Sequence, residues 1–260
     1  MAKKQTPPVR YCRFMVDGRA YSGQIRANSI DIVEGGPFTQ IYPMRLSYQM
    51  NRVKFLPPFL PKQIWCIGYN YKEHAEELKS EQPAEPTVFM KATTAIIGSD
   101  DFIRIPSWAG EIQYEGELAV VIGKPGRNIS EDDALDHVLG YTIMNDVTAR
   151  DIQKSDAQWT RAKSFDTFAP FGPAILFARE LPDDTVLETR VNGMVKQRTT
   201  LSQMIFPIKT LISYISRFAT LEQGAVISTG TPSGIGAIKV GDIVEIEIDG
   251  IGILKNVCGE

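Results

Sequence analysis

Three two-residue turn signals set the limits on what this chain can fold into. Asp17-Gly18, Asn192-Gly193 and Asp249-Gly250 are dipeptides that accept the positive φ angles of a tight hairpin. Around the first, residues 10–16 read as a strand and residues 19–25 as its return. A further strand over 29–33 stops at Glu34-Gly35-Gly36. Before Asp249, the apolar Val244, Ile246 and Ile248 alternate with Glu245, Glu247 and Asp249, the pattern of a strand with one buried face. Residues 64–67, 117–122 and 140–145 are three more strands, the last preceded by a short helix that Ser130 caps with Asp133 three residues on. One longer helix is clear, because Ile208, Leu211, Ile212 and Ile215 fall at i, i+3, i+4 and i+7. The strands do not alternate with long helices as βαβ units would. The expected class is therefore mostly β with some α (α+β), a rolled or barrel-like sheet with a few helices.

Phe55-Leu-Pro-Pro-Phe-Leu-Pro61 is a stiff connection. It predicts a small N-terminal β domain over 1–58 and a larger second domain over 59–260. A net charge of −3 and a pI near 5.6 give no basic surplus for a nucleic-acid partner. Cys12, Cys66 and Cys258 are far apart and form no C-x-x-C pair, which fits a reducing compartment. The opening Met1-Ala-Lys-Lys-Gln-Thr-Pro-Pro lacks the apolar run of a signal peptide, and no stretch approaches the roughly 18 apolar residues of a membrane span. The expectation is a cytoplasmic protein with a small-molecule ligand and neither nucleic-acid nor membrane partners. G-x-G-x-x-G, the P-loop and the G-x-S-x-G elbow are all missing. With His74 and His137 as the sole histidines, a multi-histidine zinc site would have to be shared between subunits.

Gln113-Tyr-Glu-Gly-Glu-Leu-Ala-Val-Val-Ile-Gly123 carries the most chemistry. Glu115 and Glu117 are two apart on a predicted strand, so both carboxylates point to one face. Apolar residues follow, so two like charges meet at the edge of a core, where repulsion and desolvation both cost free energy. A hard divalent cation relieves both. Asp146, at the end of the apolar run 139–144, supplies a third carboxylate. Three carboxylates without histidine or thiolate suit Mg²⁺, Mn²⁺ or Ca²⁺ rather than zinc. The same spacing also fits a solvent-facing strand, as at Glu245 and Glu247. His74 and Glu77 are three apart and share a face if a helical turn begins near Tyr71; the pair fits a carboxylate-oriented base, or an incidental histidine on a solvated helix. Lys163 lies amid the aromatics and prolines of residues 159–173, placed either to hold an anion or to snorkel at the surface. Ser228-Thr-Gly-Thr-Pro-Ser-Gly-Ile-Gly236, with Gly230 and Thr231, is either a carboxylate-gripping loop or a plain turn. His137 reads as structural.

Taken in order, these segments resemble one family. Gly68-Tyr-Asn-Tyr-Lys-Glu-His74, Pro86-Thr-Val-Phe-Met-Lys91, Tyr114-Glu-Gly-Glu-Leu-Ala-Val-Val-Ile-Gly123, Asn145-Asp-Val-Thr-Ala-Arg-Asp-Ile-Gln153, Trp159-Thr-Arg-Ala-Lys163 and Ser228-Thr-Gly-Thr-Pro-Ser-Gly234 are similar to the fumarylacetoacetate hydrolase family, from Ile64 to the C-terminus. The resemblance implies a mixed β-roll with a small N-terminal β domain, and a homodimer. It implies Mg²⁺ or Mn²⁺ (Ca²⁺ in a crystal) on Glu115, Glu117 and Asp146. It makes His74 and Glu77 a water-activating pair, Lys163 an active-site lysine, and Gln153, Thr231, Gly230 and Tyr69 substrate contacts. The run Asp166-Thr-Phe-Ala-Pro-Phe-Gly-Pro173 is closer to the decarboxylase, isomerase and oxaloacetate-processing branches than to the animal hydrolases. Gln113 departs from a position where an acid is common, and Tyr69 from one where some acylpyruvate hydrolases carry arginine. The implied chemistry is a stabilised enolate of a small 2-oxo dicarboxylic acid, with C–C bond cleavage, by hydrolysis or decarboxylation, as the main expected outcome. The alternative is keto–enol tautomerisation or isomerisation, of oxaloacetate or of unsaturated 2-oxo dioates. An alternative of another class is a non-catalytic metal and oxo-acid binding protein.

Overall fold

The computed structural model describes residues 9–77 and 83–260, and for His74 and Ala75 the backbone alone. Strands dominate it. Asp17-Gly18 closes the hairpin of Arg10–Val16 and Arg19–Arg26, with φ of +50° and +74° at the two turn residues. Asn192-Gly193, at +51° and +76°, joins Val186–Val191 to Met194–Thr200. At Asp249-Gly250 the loop between Ile243–Ile248 and Gly252–Gly259 takes three residues, because Ile248 pairs with Gly252.

The main sheet runs in the order Tyr42–Gln49, Ser29–Glu34, Arg19–Arg26, Arg10–Val16, Ala169–Leu176, Val138–Asn145, Gly116–Ile122, Ala225–Ser228, Gln63–Gly68 and Thr87–Met90. Pairing of Arg10–Val16 with Ala169–Leu176 carries the N-terminal strands into this sheet. A five-stranded sheet, in the order Met194–Thr200, Val186–Val191, Ile243–Ile248, Gly252–Gly259 and Phe102–Arg104, packs against it. The architecture is mostly β with a few helices, as the turn signals predict.

The strand Gly116–Ile122 is buried along its whole length. Leu118, Val120 and Ile122 join the core shared with the second sheet, where Leu187, Ile246 and Leu254 meet them. Ala119 and Val121 face the opposite way, towards Cys66, Met144 and Phe171. Burial on both faces explains an apolar run without alternation. By strand parity Glu117 belongs to the Ala119 face.

The predicted helix is α4, Ile208–Phe218, with Leu211, Ile212 and Ile215 buried. Two short helices, α2 (Arg150–Ser155) and α3 (Thr160–Lys163), bring Arg150, Gln153 and Lys163 to one cleft, and a third, α1 (Lys72–Glu77), begins three residues after the cleft residue Tyr69. Ser130 accepts the Asp133 N–H at 3.2 Å, but a single 3-10 turn, Ala134–His137, follows rather than an α-helix. His137 is buried, its Nδ1 lying 2.8 Å from the Lys124 carbonyl oxygen. The three cysteines are free and buried. No helix among the described residues is long and apolar enough to cross a membrane.

Candidate metal centre and cleft

The strand Ile112–Tyr114 ends at Glu115, and Gly116–Ile122 begins one residue later. The break is held by Val138–Asn145: Asn145 Oδ1 accepts the Glu115 N–H at 3.0 Å, and the Asp146 N–H donates to the Glu115 carbonyl at 2.9 Å. This places Asp146 beside Glu115. Gly116 separates the two glutamates because the second sheet passes directly over it. A Cβ there would sit 2.2 Å from Thr189 Oγ1, far inside contact distance.

Glu115, Glu117 and Asp146 are all buried, and one oxygen from each lies within 4.8 Å of the others. Three cationic side chains meet them. Lys163 Nζ donates to Glu115 Oε2 at 2.7 Å and to Asp146 Oδ2 at 2.6 Å. Lys91 Nζ donates to the other Asp146 oxygen at 2.5 Å and to the Val147 carbonyl at 3.1 Å. Arg150 donates from Nη2 to Glu115 Oε1 at 2.5 Å, from Nε to Gln113 Oε1 at 2.7 Å, and from Nη1 to Gln153 Oε1. Glu117 is held differently, accepting the Ser228 hydroxyl at 2.5 Å and the Gly230 N–H at 3.0 Å. The glycine-rich loop thus grips a carboxylate of the protein itself.

The electrostatics follow from this crowding. Burial, then the charges of Asp146 and Glu115, push the Glu117 carboxyl well above its usual range, while Ser228 and Lys163 pull it down. Burial works against the charge on Lys163, but Asp146 and Glu115 outweigh it and hold the ammonium above the ordinary lysine range. Lys163 is therefore a fixed cation rather than a surface lysine.

The donor set fits a hard divalent ion: among the described residues three buried carboxylates converge, and no histidine or cysteine belongs to the group. Tyr71 adds a second sign. Its hydroxyl is buried, feels the charge of Glu117, and has no hydrogen-bond partner among the described residues. A hydrated cation would supply the missing partner.

The cleft over this centre is narrow, with about 20 Å³ of water-accessible space, and is lined by Tyr69, Phe89, Arg150, Gln153, Trp159, Lys163 and Thr231 besides Glu115 and Glu117. Tyr69 holds a left-handed φ of +57°, an unfavourable state for a tyrosine that concentrates at working sites. Next to it, Asn70 is fully buried and ties the turn down, donating to the Thr229 carbonyl at 2.7 Å and accepting the Phe206 N–H at 2.8 Å. α1 is latched to the glycine-rich loop: the Gly234 N–H donates to Glu77 at 3.1 Å and the Ser233 hydroxyl to Glu73 at 3.2 Å.

Residues 63–258 match the fumarylacetoacetate (FAA) hydrolase C-terminal family. The chain belongs to the fumarylacetoacetate hydrolase family. It is 44% identical over 227 residues to the oxaloacetate tautomerase YisK of Bacillus subtilis, covering 82% of this chain and 75% of that one. It is 43% identical over 218 residues to the mitochondrial oxaloacetate tautomerase fahd2 of Xenopus laevis, covering 79% and 68%. The crystal structure of a 2-hydroxyhepta-2,4-diene-1,7-dioate isomerase from Mycobacterium marinum superposes with a TM-score of 0.88 at 40% identity, over 96% of this chain and 98% of the other.

Against that family pattern the expected site residues fall out as follows. Glu115, Glu117, Asp146 and Lys163 come together as one cluster. Gln153 and Tyr69 face the cleft. Thr231 also lines it, but its hydroxyl is engaged, donating to the Gly116 carbonyl at 2.9 Å and accepting from Gln197 at 2.8 Å. Gly230 spends its N–H on Glu117. Glu77 is on α1 at the loop. The His74 side chain lies outside the described residues. Sequence reasoning assigned no role to Lys91, Arg150 or Trp159, and took Ser228 only as part of a loop able to grip a carboxylate. Arg150 and Gln153 are one helical turn apart on α2, a spacing from which the pair could have been read. A lysine ending a short strand such as Thr87–Met90 carries no comparable signal.

Proposed function

We propose that this chain is a divalent-metal-dependent enzyme acting on a small 2-oxo dicarboxylic acid, and that its reaction is keto–enol tautomerisation, with oxaloacetate as the type substrate. The observation that carries this reading is the convergence of Glu115, Glu117 and Asp146 within 4.8 Å, with Glu115 and Glu117 opening onto a small cleft that Lys163 and Arg150 also line. Tautomerisation takes precedence over the C–C cleavage expected first from sequence. Two relatives bear the name oxaloacetate tautomerase, and a structural neighbour is a dioate isomerase.

Charge supports a dianionic substrate. The three carboxylates are matched by Lys91, Arg150 and Lys163, so a divalent ion on ionised ligands leaves two positive charges over, which a dicarboxylate neutralises. A bound Mg²⁺ or Mn²⁺ would supply Lewis acidity to a 2-oxo group, lowering the cost of an enolate. Lys163 contributes a fixed positive charge where negative charge develops on the keto oxygen. Arg150 and Gln153 line the cleft, and a guanidinium beside a side-chain amide suits a substrate carboxylate. His74, with Glu77, is the proposed proton carrier: it takes the proton from the carbon next to the keto group and returns it to oxygen, so that nothing is gained or lost overall. By family expectation the working form is a homodimer.

The test starts from the enol form of oxaloacetate. Ketonisation is followed by loss of ultraviolet absorbance, and pyruvate is assayed in the same samples, in Mg²⁺ and in EDTA. Acceleration that needs the metal and yields no pyruvate is the expected result, and Glu117→Ala should abolish it while the protein stays folded. Pyruvate appearing as fast as enol vanishes would make the chain a decarboxylase. Undiminished activity in EDTA would reject the metal.

A further inference from the structure

We propose that Gln197 is a positioning residue for the metal centre, fixing through Gly116 and Thr231 the spacing of Glu115 and Glu117 that a small divalent cation requires. The proposal rests on the metal-dependent reading of the site and adds to it the group that sets the ligand geometry.

Gln197 lies on Met194–Thr200, the outermost strand of the five-stranded sheet. Within that strand it alone is buried, at 1% exposure, although glutamine is a residue usually found at the surface. The pairing is irregular at this point. Gln197 is opposite Thr189 and Val195 is opposite Arg190, so Lys196 is an extra residue. A bulge of this kind bends its strand and re-aims side chains. Here Val195, Lys196 and Arg198 stay exposed while Gln197 enters the interior.

Its amide closes a ring of hydrogen bonds around Gly116. Oε1 accepts the Gly116 N–H at 3.0 Å, and Nε2 donates to the Thr231 hydroxyl and to the Pro232 carbonyl, each at 2.8 Å. The Thr231 hydroxyl donates in turn to the Gly116 carbonyl at 2.9 Å. That N–H belongs to the peptide group shared with Glu115, and that carbonyl to the one shared with Glu117. Both peptide groups between the two glutamates are therefore tied to one side chain. The tie matters because position 116 has no room for a Cβ, and glycine is the residue with the most backbone freedom. Gln197 supplies the rigidity that glycine lacks.

A second contact joins the same strand to the loop that grips Glu117. Gly234 has a φ of +97°, and a Cβ there would lie 2.0 Å from the Lys196 carbonyl oxygen and 3.4 Å from Gln197 Cγ. The glycine-rich loop thus lies directly on the bulge. Glu117 is accordingly steadied twice, at its backbone through Gly116 and at its carboxylate through Ser228 and Gly230 of that loop. Mg²⁺ takes oxygens at about 2.0–2.1 Å in near-octahedral geometry, whereas Ca²⁺ accepts them at about 2.3–2.6 Å in looser arrangements. Rigid spacing of the acids favours the smaller ion.

The test is ion binding rather than turnover. Mn²⁺ is titrated by calorimetry into metal-stripped protein, and Mg²⁺ and Ca²⁺ are measured by its displacement. Gln197→Met keeps the bulk and removes the hydrogen bonds. It should weaken Mn²⁺ and Mg²⁺ about tenfold or more, as loss of a group that orients metal ligands usually does, and Ca²⁺ by a smaller factor, so that the preference for Mg²⁺ over Ca²⁺ falls. Thr231→Val opens the same ring at its hydroxyl and should shift the preference in the same direction; it carries the test should the methionine variant fail to fold. Combined, the two should weaken Mn²⁺ by less than the product of their separate effects, as members of one network do. Unchanged affinities overturn the proposal. So does weakening of Mg²⁺ and Ca²⁺ by one common factor in step with a lower thermal midpoint, since the amide would then only hold the two sheets together. If the wild-type protein binds none of the three ions, the metal-dependent reading itself fails and this proposal with it; if it binds them and the variants keep its preference, the role of Gln197 alone falls.

Discussion

Lys91 shows how much of this centre is decided by single buried charges. Its side chain is fully buried and its ammonium donates to Asp146 and to the Val147 carbonyl. Removing one partner of a buried ion pair leaves the other charge uncompensated, at about 3–5 kcal/mol. Asp146 keeps Lys163 on its second oxygen, so Lys91→Met, which retains most of the apolar stem, should cost near the lower end of that range. Urea unfolding in EDTA measures it. Saturating Mg²⁺ should restore part of the loss, because the ion replaces a positive charge beside the same carboxylate. A variant as stable as the wild type in EDTA would mean that Lys163 alone suffices for Asp146. Cys66 illustrates the opposite case at the same scale. Burial, with the charge of Asp146 next, pushes its thiol well above the usual range, so it stays a neutral packing group although it lies beside the acids.

Elements explain why some of this was legible in the sequence and some was not. Hairpins were readable because their turns have local backbone requirements, met by Asp17-Gly18 and Asn192-Gly193 alone. Helix α4 was readable because one face is buried and the spacing says so. Glu115 and Glu117 were ambiguous by spacing, since Glu245 and Glu247 share it; the difference lies in what covers the strand. Glu245 and Glu247 lie along a partly exposed face with Arg190, whereas Gly116–Ile122 is packed between two sheets. That is a long-range fact, set by Thr189 and Ile246 more than seventy positions away in the chain. The partners of the acids were hidden for the same reason, because Lys91, Arg150 and Ser228 reach the site from three separate elements. The Gly116 contact gives the element-scale prediction. Gly116→Ala drives a methyl into Thr189 Oγ1 and should destabilise by about 1–3 kcal/mol, with weaker Mn²⁺ binding because both flanking glutamates shift. Thr189→Ala removes the obstructing hydroxyl, a buried group with no hydrogen-bond partner among the described residues. The double variant should recover much of the loss in a double-mutant cycle; strictly additive effects would place the strain elsewhere.

At the scale of the whole molecule, the centre joins strands that are remote in sequence, so metal occupancy and global stability are linked. A ligand bound to the folded chain alone stabilises it by mass action, about 2.7 kcal/mol at a hundred times its Kd. The pH dependence of that gain follows from Glu117. Its carboxyl titrates well above the usual range in the folded chain and near the ordinary glutamate value when unfolded. Between those two values the folded state holds more of the proton than the unfolded state does. The derivative of unfolding free energy with pH is then negative, so in EDTA this group's contribution is fully present below the ordinary glutamate value and is lost as pH rises through the raised one. Metal reverses the sign. Binding needs the ionised carboxylate, so affinity climbs with pH over the same window, with about one proton released per ion. The gap between thermal midpoints in Mn²⁺ and in EDTA should therefore widen as pH is raised across this range. Glu117→Gln should flatten the EDTA profile in that window and abolish most of the gap. Calorimetric Mn²⁺ titrations in buffers of different ionisation heat count the protons directly. A gap constant with pH, with no proton released, would show that Glu117 is already ionised in the folded chain and that the ion is held without displacing a proton from it.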